Sequence, residues 1–195
     1  LKDWSDGEII RAVREGIHKN GRPLVIMPAD AFHNLSDADV QALVAYLRSQ
    51  PAVQHDTPEI NVSVIGALVI ATGAPLQTNQ PPITQPIVAP APGVTVEYGK
   101  HLASIMGCQS CHGADLAGGT PGFGPPPGPN LTVLVPKWSE ADFLKTLKTG
   151  VDPTGKTLSD EMPWKEYAVT LTDDEFKAIF AYMKGLSPIV RPASK

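Results

Sequence analysis

The chain has 195 residues, 42% of them hydrophobic, and a formal net charge of −4. That balance describes a folded chain rather than a disordered tail, and a pI near 5.7 with no basic surplus argues against nucleic acid as the main partner. Twenty prolines, seven of them within residues 52–93 between two helix-rich ends, require long stretches of irregular or extended backbone.

In chain order, the first helical stretch is "WSDGEIIRAVREGIHKNGRPL" (4–24), followed by a Met-Pro pair, Met27 and Pro28. "LSDADVQALVAYLRSQP" (35–51) is a second helix, with Ser36 and Asp39 at capping spacing. "INVSVIGALVIATGAPL" (60–76) is the most apolar run, but Asn61, Ser63, Gly66, Thr72 and Gly73 interrupt it. A bilayer-crossing helix needs ~20 largely apolar residues, so this run is expected to pack on the protein. "PLQTNQPPITQPIVAPAPG" (75–93) is expected to be extended, polyproline-like backbone. Residues 52–93 thus read as a linker, either a semi-rigid spacer or a strap lying across one or both flanking domains.

The second helical region opens with "VEYGKHLASIMGCQSCHG" (96–113), which holds the only two cysteines of the chain, Cys108 and Cys111, with His112 directly after. Four chemistries use such a pair. A disulfide across two residues closes too small a loop to stabilise a domain much. Zinc needs two further ligands at zinc spacing, and His18, His33, His55 and His101 are scattered. A thioredoxin-like redox pair follows a strand in a βαβ pattern, and none is present. C-x-x-C-H is the signature of c-type haem attachment: one helical turn sets two thiols along one haem edge for thioether bonds, and the histidine supplies an axial imidazole.

Downstream residues suit that reading. "GPPPGPNL" (124–131) can cover the histidine side, and the Pro129 carbonyl is the candidate acceptor for the Nδ1–H of His112. Met162, in "SDEMPWKEY" (159–167), is held by Pro163 and is the candidate second axial ligand. Met183 sits in an apolar helical stripe and reads as core, and Met106 is too near Cys108 to reach the opposite haem face. In the last helix Thr172 and Glu175 form a capping box, and Phe176, Ile179, Phe180 and Met183 recur at helical spacing.

On these residues the segment 94–188 resembles a class I cytochrome c domain over its whole length. "VEYGKHLASIMGCQSCHG" resembles the N-terminal helix and haem motif, "GPNL" the histidine-side loop, "MPW" the methionine loop, and "LTDDEFKAIFAYMKGL" the C-terminal helix. The resemblance implies that the terminal helices cross closely, as the missing side chain of Gly99 allows, with Tyr182 packing nearby.

An internal repeat extends the resemblance. Trp4, Gly16, Gly21 and Leu24 match Trp138, Gly150, Gly155 and Leu158 at a constant offset of 134. "MPADAF" (27–32) then matches "MPWKEY" (162–167), and 35–51 matches 171–188. Residues 1–51 therefore resemble the C-terminal half of another cytochrome c domain, which implies Met27 as axial ligand of a second haem. Cys108 lies 54 residues ahead of Met162; the same spacing puts the matching cysteine about 27 residues before Leu1. The expectation is a longer dihaem protein, with a haemless remnant as the alternative account of residues 1–51.

The expected fold is thus all-α: a half domain (1–51), a Pro-rich linker (52–93) and a complete cytochrome c-like domain (94–190). The expected cofactor is haem c at Cys108 and Cys111, with a second haem attached upstream. His/Met ligation leaves no open iron position and favours electron transfer. The resemblance implies a dehydrogenase or respiratory complex as donor, a cytochrome or oxidase as acceptor, an extracytoplasmic or periplasmic site, and possible membrane association through an upstream segment. The rival reading is a dihaem redox enzyme, peroxidase-like or thiosulfate-oxidising, which needs an open or displaceable ligand.

Overall fold

The computed structural model describes residues 1–53, 55, 63–71, 80–120 and 126–190. Among these, helices alternate with loops, and the β pairing consists of two isolated bridges, Ile17 with Pro23 and Val151 with Thr157. The chain divides into two compact units, Leu1–Val88 and Ala89–Lys195.

The first unit contains α1 (Asp6–Glu15), α2 (Ala29–Phe32), α3 (Asp37–Ser49) and α4 (Val64–Ala71). Ser5 and Glu8 form a reciprocal capping box at the start of α1, which satisfies backbone donors that a helix end leaves unpaired. Ile9 and Val13 on α1 bury against Val40 and Val44 on α3, with Trp4, Phe32 and Leu35 packed around them. The proline-rich segment runs over one end of this pair. Gln80 N–H donates to the Glu15 carbonyl (3.2 Å), and Asp37 N–H to the Ile87 carbonyl (2.9 Å). Ile83 N–H donates to the Glu15 carboxylate (3.2 Å).

The apolar run needs correction. Where it is described it forms α4, yet Val64, Ile65 and Leu68 are 86%, 76% and 67% exposed rather than packed on the protein. The helix is apolar on every side, so no stripe distinguishes a face to bury. Residues 60–62 and 72–76 lie outside the described residues. Among the described residues no helix is long and apolar enough to cross a membrane.

The second unit contains α5 (Val96–Ile105), α6 (Cys108–His112), α7 (Leu131–Leu134), a 3-10 turn (Val135–Lys137), α8 (Glu140–Thr149), α9 (Trp164–Thr170) and α10 (Asp173–Lys184). Leu102 and Ala103 of α5, Leu116, Val135, Phe143 of α8, and Phe176, Ile179, Phe180 and Met183 of α10 form one core. The Phe143 and Phe180 rings pack with centroids 5.5 Å apart. Each such side chain buried contributes roughly 1.5–3 kcal/mol. Helices α5 and α10 cross so closely that a Cβ on Gly99 would overlap the Ala178 carbonyl. Tyr182 packs against the same core.

The sequence repeat is also a repeat of local geometry. Gly16 and Gly150 end α1 and α8 in the left-handed region, at φ 69° and 70°. Leu24 N–H reaches back to Gly16 O (2.7 Å), as Leu158 N–H does to Gly150 O (2.8 Å). Arg14 pairs with Asp37 at 2.7 Å, and Lys148 pairs with Asp173 at the matching positions.

Because the crossing leaves no room for a methyl group, Gly99→Ala is expected to lower stability by about 3 kcal/mol, measured by denaturant unfolding of the intact chain. A loss below about 0.5 kcal/mol would show that α5 and α10 can separate freely.

Candidate functional site

The site is built at the end of α5. The chain leaves that helix at Met106, and Gly107 (φ 71°) turns it into the single turn α6, which carries Cys108, Cys111 and His112. Both cysteines are half-buried and neither is in a disulfide. Burial pushes the Cys108 thiol up to about 12, with a smaller contribution from Cys111. A redox-active C-x-x-C pair works through a thiol whose pKa is depressed, and the protonated Cys108 is the reverse of that. Among the described residues no three or more His, Cys, Asp or Glu are gathered as a metal-binding group.

His112 is buried, with 6% of its surface exposed. Its Nδ1 lies 2.8 Å from the Pro129 carbonyl oxygen. A carbonyl can only accept, so Nδ1 carries the proton and Nε2 keeps its lone pair. Burial lowers the imidazole pKa, and the bond to Pro129 partly opposes it; the neutral, metal-binding form is the one this pocket favours. Gly128 makes the arrangement possible, because a Cβ there would stand 2.6 Å from Nδ1 and 2.7 Å from Cε1 of the ring.

The loop bearing that carbonyl is tied to the cysteine turn. Gly128 N–H donates to Cys111 O (2.7 Å), Gly119 N–H to Gly128 O (3.1 Å), and Leu131 N–H to Leu116 O (2.8 Å). Asn130 accepts from Thr132 N–H (2.9 Å), capping α7, and its amide donates to the Ile189 carbonyl (2.7 Å). Gly124 and Pro125, the start of the expected covering loop, lie outside the described residues.

Met162 is half-buried and packs on the same core as Cys108. Its backbone is fixed on both sides: Met162 N–H donates to Ser159 O (3.0 Å), and Trp164 N–H to Met162 O (2.7 Å). Met27 stands in the same kind of loop in the first unit, with Met27 N–H to Leu24 O (3.2 Å) and Ala29 N–H to Met27 O (2.7 Å). The structure thus packs Cys108 and Met162 on one core, joins His112 to Pro129 and Cys111 to Gly128 by hydrogen bonds, and leaves Met27 in a unit that holds no cysteine.

One residue escaped the sequence reading. The Tyr167 hydroxyl donates to the Met106 carbonyl at 2.9 Å, joining α9 to the residue that opens the cysteine turn. Burial raises the phenol pKa, so it stays a donor. The signal for it lay in the repeat: Phe32 holds the matching position, without a hydroxyl.

This donor set fits a covalently attached haem. Two cysteines that form no disulfide stand on one helical turn, and the imidazole is committed at Nδ1 but open at Nε2. Ile105, Leu131, Leu144, Met162 and Tyr182 pack half-buried against the same core as Cys108.

Comparison with known proteins agrees with that fit. Residues 96–187 match the family model for cytochrome c, so a cytochrome c family domain, for which covalent haem c is the implied cofactor, occupies most of the second unit. The chain is 30% identical over 200 residues to one of the subunits of nicotinate dehydrogenase from Pseudomonas putida, covering 94% of this chain and 17% of the relative. It is 35% identical over 109 residues to the gluconate 2-dehydrogenase cytochrome c subunit of Pantoea cypripedii, covering 49% of this chain and 24% of the relative. The cytochrome c subunit of alcohol dehydrogenase (quinone) from Gluconacetobacter polyoxogenes is 30% identical over 217 residues, covering 95% and 45%. The chain therefore spans less than half the length of each of these relatives.

Displacing the His112 ring weakens its bond to Pro129, and without that bond the imidazole would be a less electron-rich donor to a bound haem iron and would stabilise its oxidised state less. In the haem-loaded protein Gly128→Ala is accordingly expected to raise the reduction potential, on the order of tens of millivolts, by spectroelectrochemical titration.

Proposed function

We propose that the chain is an electron-transfer element that carries haem c in its second unit and shuttles single electrons for a dehydrogenase. The observation that carries this reading is the buried His112, its Nδ1 committed to Pro129 and its turn shared with two cysteines that form no disulfide. Haem c held by these residues would supply a one-electron iron couple, and histidine–methionine ligation raises the potential relative to bis-histidine ligation. Cys108 and Cys111 would anchor it covalently, and His112 Nε2 and the Met162 thioether would ligate its iron. Tyr167, through Met106, and Gly128, through Cys111, brace the two loops against the cysteine turn. Bracing of this kind keeps donor positions constant when charge changes, which favours fast electron exchange over substrate chemistry.

A second methionine supports a relay. Met27 repeats the backbone hydrogen bonds of Met162 within a repeated helix–hairpin–helix frame. We read residues 1–51 as the distal part of a second cytochrome c domain, with Met27 an axial ligand to a haem whose cysteines come from outside these 195 residues. Two braced methionines weigh against the peroxidase-like or thiosulfate-oxidising alternative, which needs a ligand that leaves.

The relatives named as dehydrogenase subunits support a dehydrogenase as electron donor, with a further redox protein or oxidase as acceptor. Covalent haem attachment of this type supports an extracytoplasmic location, in keeping with a chain whose cysteines are consumed by thioethers.

Met162→Leu is expected to abolish the methionine–iron absorption band and to lower the potential by more than about 59 mV, the one-electron equivalent of a tenfold change; an unchanged band would remove Met162 from the iron. For the relay, a pyridine haemochrome count is paired with intact mass on the protein as it is made in its host. Two haems per polypeptide, one of them losing its methionine band in Met27→Leu, is the expected result. A single haem insensitive to Met27→Leu would reduce the function to transfer through His112 and Met162.

A further inference from the structure

Helix α10 ends at Lys184, and the chain that follows is tied back to the second unit. Leu186 packs on the core, and Ile189 is held by both of its backbone groups. Ile189 N–H donates to Thr132 Oγ1 (3.0 Å). The Thr132 hydroxyl donates in turn to Asn130 Oδ1 (2.7 Å), and Asn130 Nδ2 donates back to the Ile189 carbonyl (2.7 Å). The three bonds close a ring in which every donor meets an acceptor. Two side chains thereby pair with both backbone groups of one residue, as a neighbouring strand would. Thr132 is 1% exposed, so little water reaches its hydroxyl to replace Ile189.

This ring stands next to the site. Asn130 follows Pro129, whose carbonyl accepts from His112 Nδ1 (2.8 Å). The peptide unit between them is planar, so the Pro129 oxygen turns with the backbone of Asn130. Pro129 itself is exposed, and packing over it does not hold that oxygen in place. Asn130 is held by its bonds instead, since its Oδ1 also caps α7 through Thr132 N–H (2.9 Å). The internal repeat provides a control. Lys184 donates to the Trp138 carbonyl (3.1 Å), and Arg48 donates to the carbonyl of Trp4, the residue matching Trp138. The last helix is thus tied in the same way in both units, but the chain beyond it is not: Val53 is 85% exposed and Ile189 36%. The repeat runs from Trp4 and Trp138 onward, so the first unit has no match for Asn130 or Thr132. A tied helix end does not by itself hold the tail; the Asn130–Thr132 pair does.

We propose that the tail after α10 is a latch that positions His112, with Ile189 as the latch and Thr132 and Asn130 as its catch. The proposal rests on the reading of His112 as a haem c ligand and adds what sets its donor strength. By holding Ile189, the ring fixes the Asn130 backbone and so the direction of the Pro129 carbonyl. That direction sets the strength of the His112 Nδ1–H bond, and with it the electron density the imidazole offers to iron. Releasing the tail weakens the bond and favours the reduced state. Thr132, Asn130 and Ile189 are positioning residues, since they act on His112 only through Pro129.

Two variants of the haem-loaded full chain open the latch from opposite sides. Thr132→Val keeps the volume and removes the hydroxyl. Ile189→Pro removes the tail's N–H and leaves Asn130, Thr132 and the cysteine turn as they are. The readouts are the reduction potential, by spectroelectrochemical titration, and solvent exchange of the His112 Nδ1–H, by NMR of the reduced protein. In both variants that proton is expected to exchange at least about tenfold faster. The redox equilibrium is expected to move at least about threefold toward the reduced form, about 28 mV upward at 59 mV per tenfold. Thr132→Ser restores the hydroxyl and is expected to restore both readouts. Thr172→Ala removes the cap at the other end of α10; it is expected to lower stability and leave both readouts unchanged. Wild-type potential and exchange in Thr132→Val and Ile189→Pro, or equal shifts in Thr172→Ala, would overturn the latch and leave the ring a structural contact alone. A chain that retains no haem through denaturation would refute the ligand reading, and the latch with it.

Discussion

The second unit depends on how closely α5 and α10 approach. Gly99 presents backbone where any other residue would present a methyl group, and the Ala178 carbonyl occupies that space. Phe176, Ile179, Phe180 and Met183 can then reach Leu102 and Ala103 directly. The direction of α5 fixes where its last residue, Ile105, delivers the chain, and so where Cys108, Cys111 and His112 stand. The cysteine turn is short and makes few contacts of its own; its placement is inherited from the helix before it.

A second close approach orients the chemistry. Gly128 lies against the His112 ring, and the same loop gives its backbone N–H to Cys111 and its next carbonyl to His112 Nδ1. One loop thus holds the turn, selects the tautomer and keeps the ring buried. On the other side Tyr167 ties the methionine-bearing segment to Met106. The two flanking loops meet at the backbone of one turn, so both axial candidates share a single reference.

The repeated halves show one frame put to different uses. Capping residues, the glycine stops, the small hairpins and the Met-Pro corner recur with nearly the same hydrogen bonds. The differences are concentrated where the surroundings differ. Asp160 and Glu161 precede Met162, whereas Val25 and the 90% exposed Ile26 precede Met27. Tyr167 finds a carbonyl of the cysteine turn, and Phe32 stands where these residues offer no such turn. Lysines suffice on the open face of α8, while arginines line the covered end of α1.

Most of the helical frame was legible because its signals are local: Ser, Thr and Asp caps, glycine at helix ends, and apolar residues at helical spacing act within a few residues of themselves. The haem motif and the Met-Pro corners are legible for the same reason, since their chemistry needs fixed short spacings. The Pro129 carbonyl was legible as a candidate from the demand that a ligating histidine donate its other N–H, although only the fold brings 129 to 112. Other features could not be read this way. The exposure of Val64, Ile65 and Leu68 is one of them, because an apolar sequence does not report whether a facing surface is there to cover it. The bond from Tyr167 to Met106 joins residues 61 apart, and the ion pair of Arg14 with Asp37 joins residues 23 apart. The sequence by itself determined which groups are present and which short motifs they form. Tertiary structure alone decided which of them are buried and which lack partners, because burial and pairing belong to surfaces that distant segments bring together.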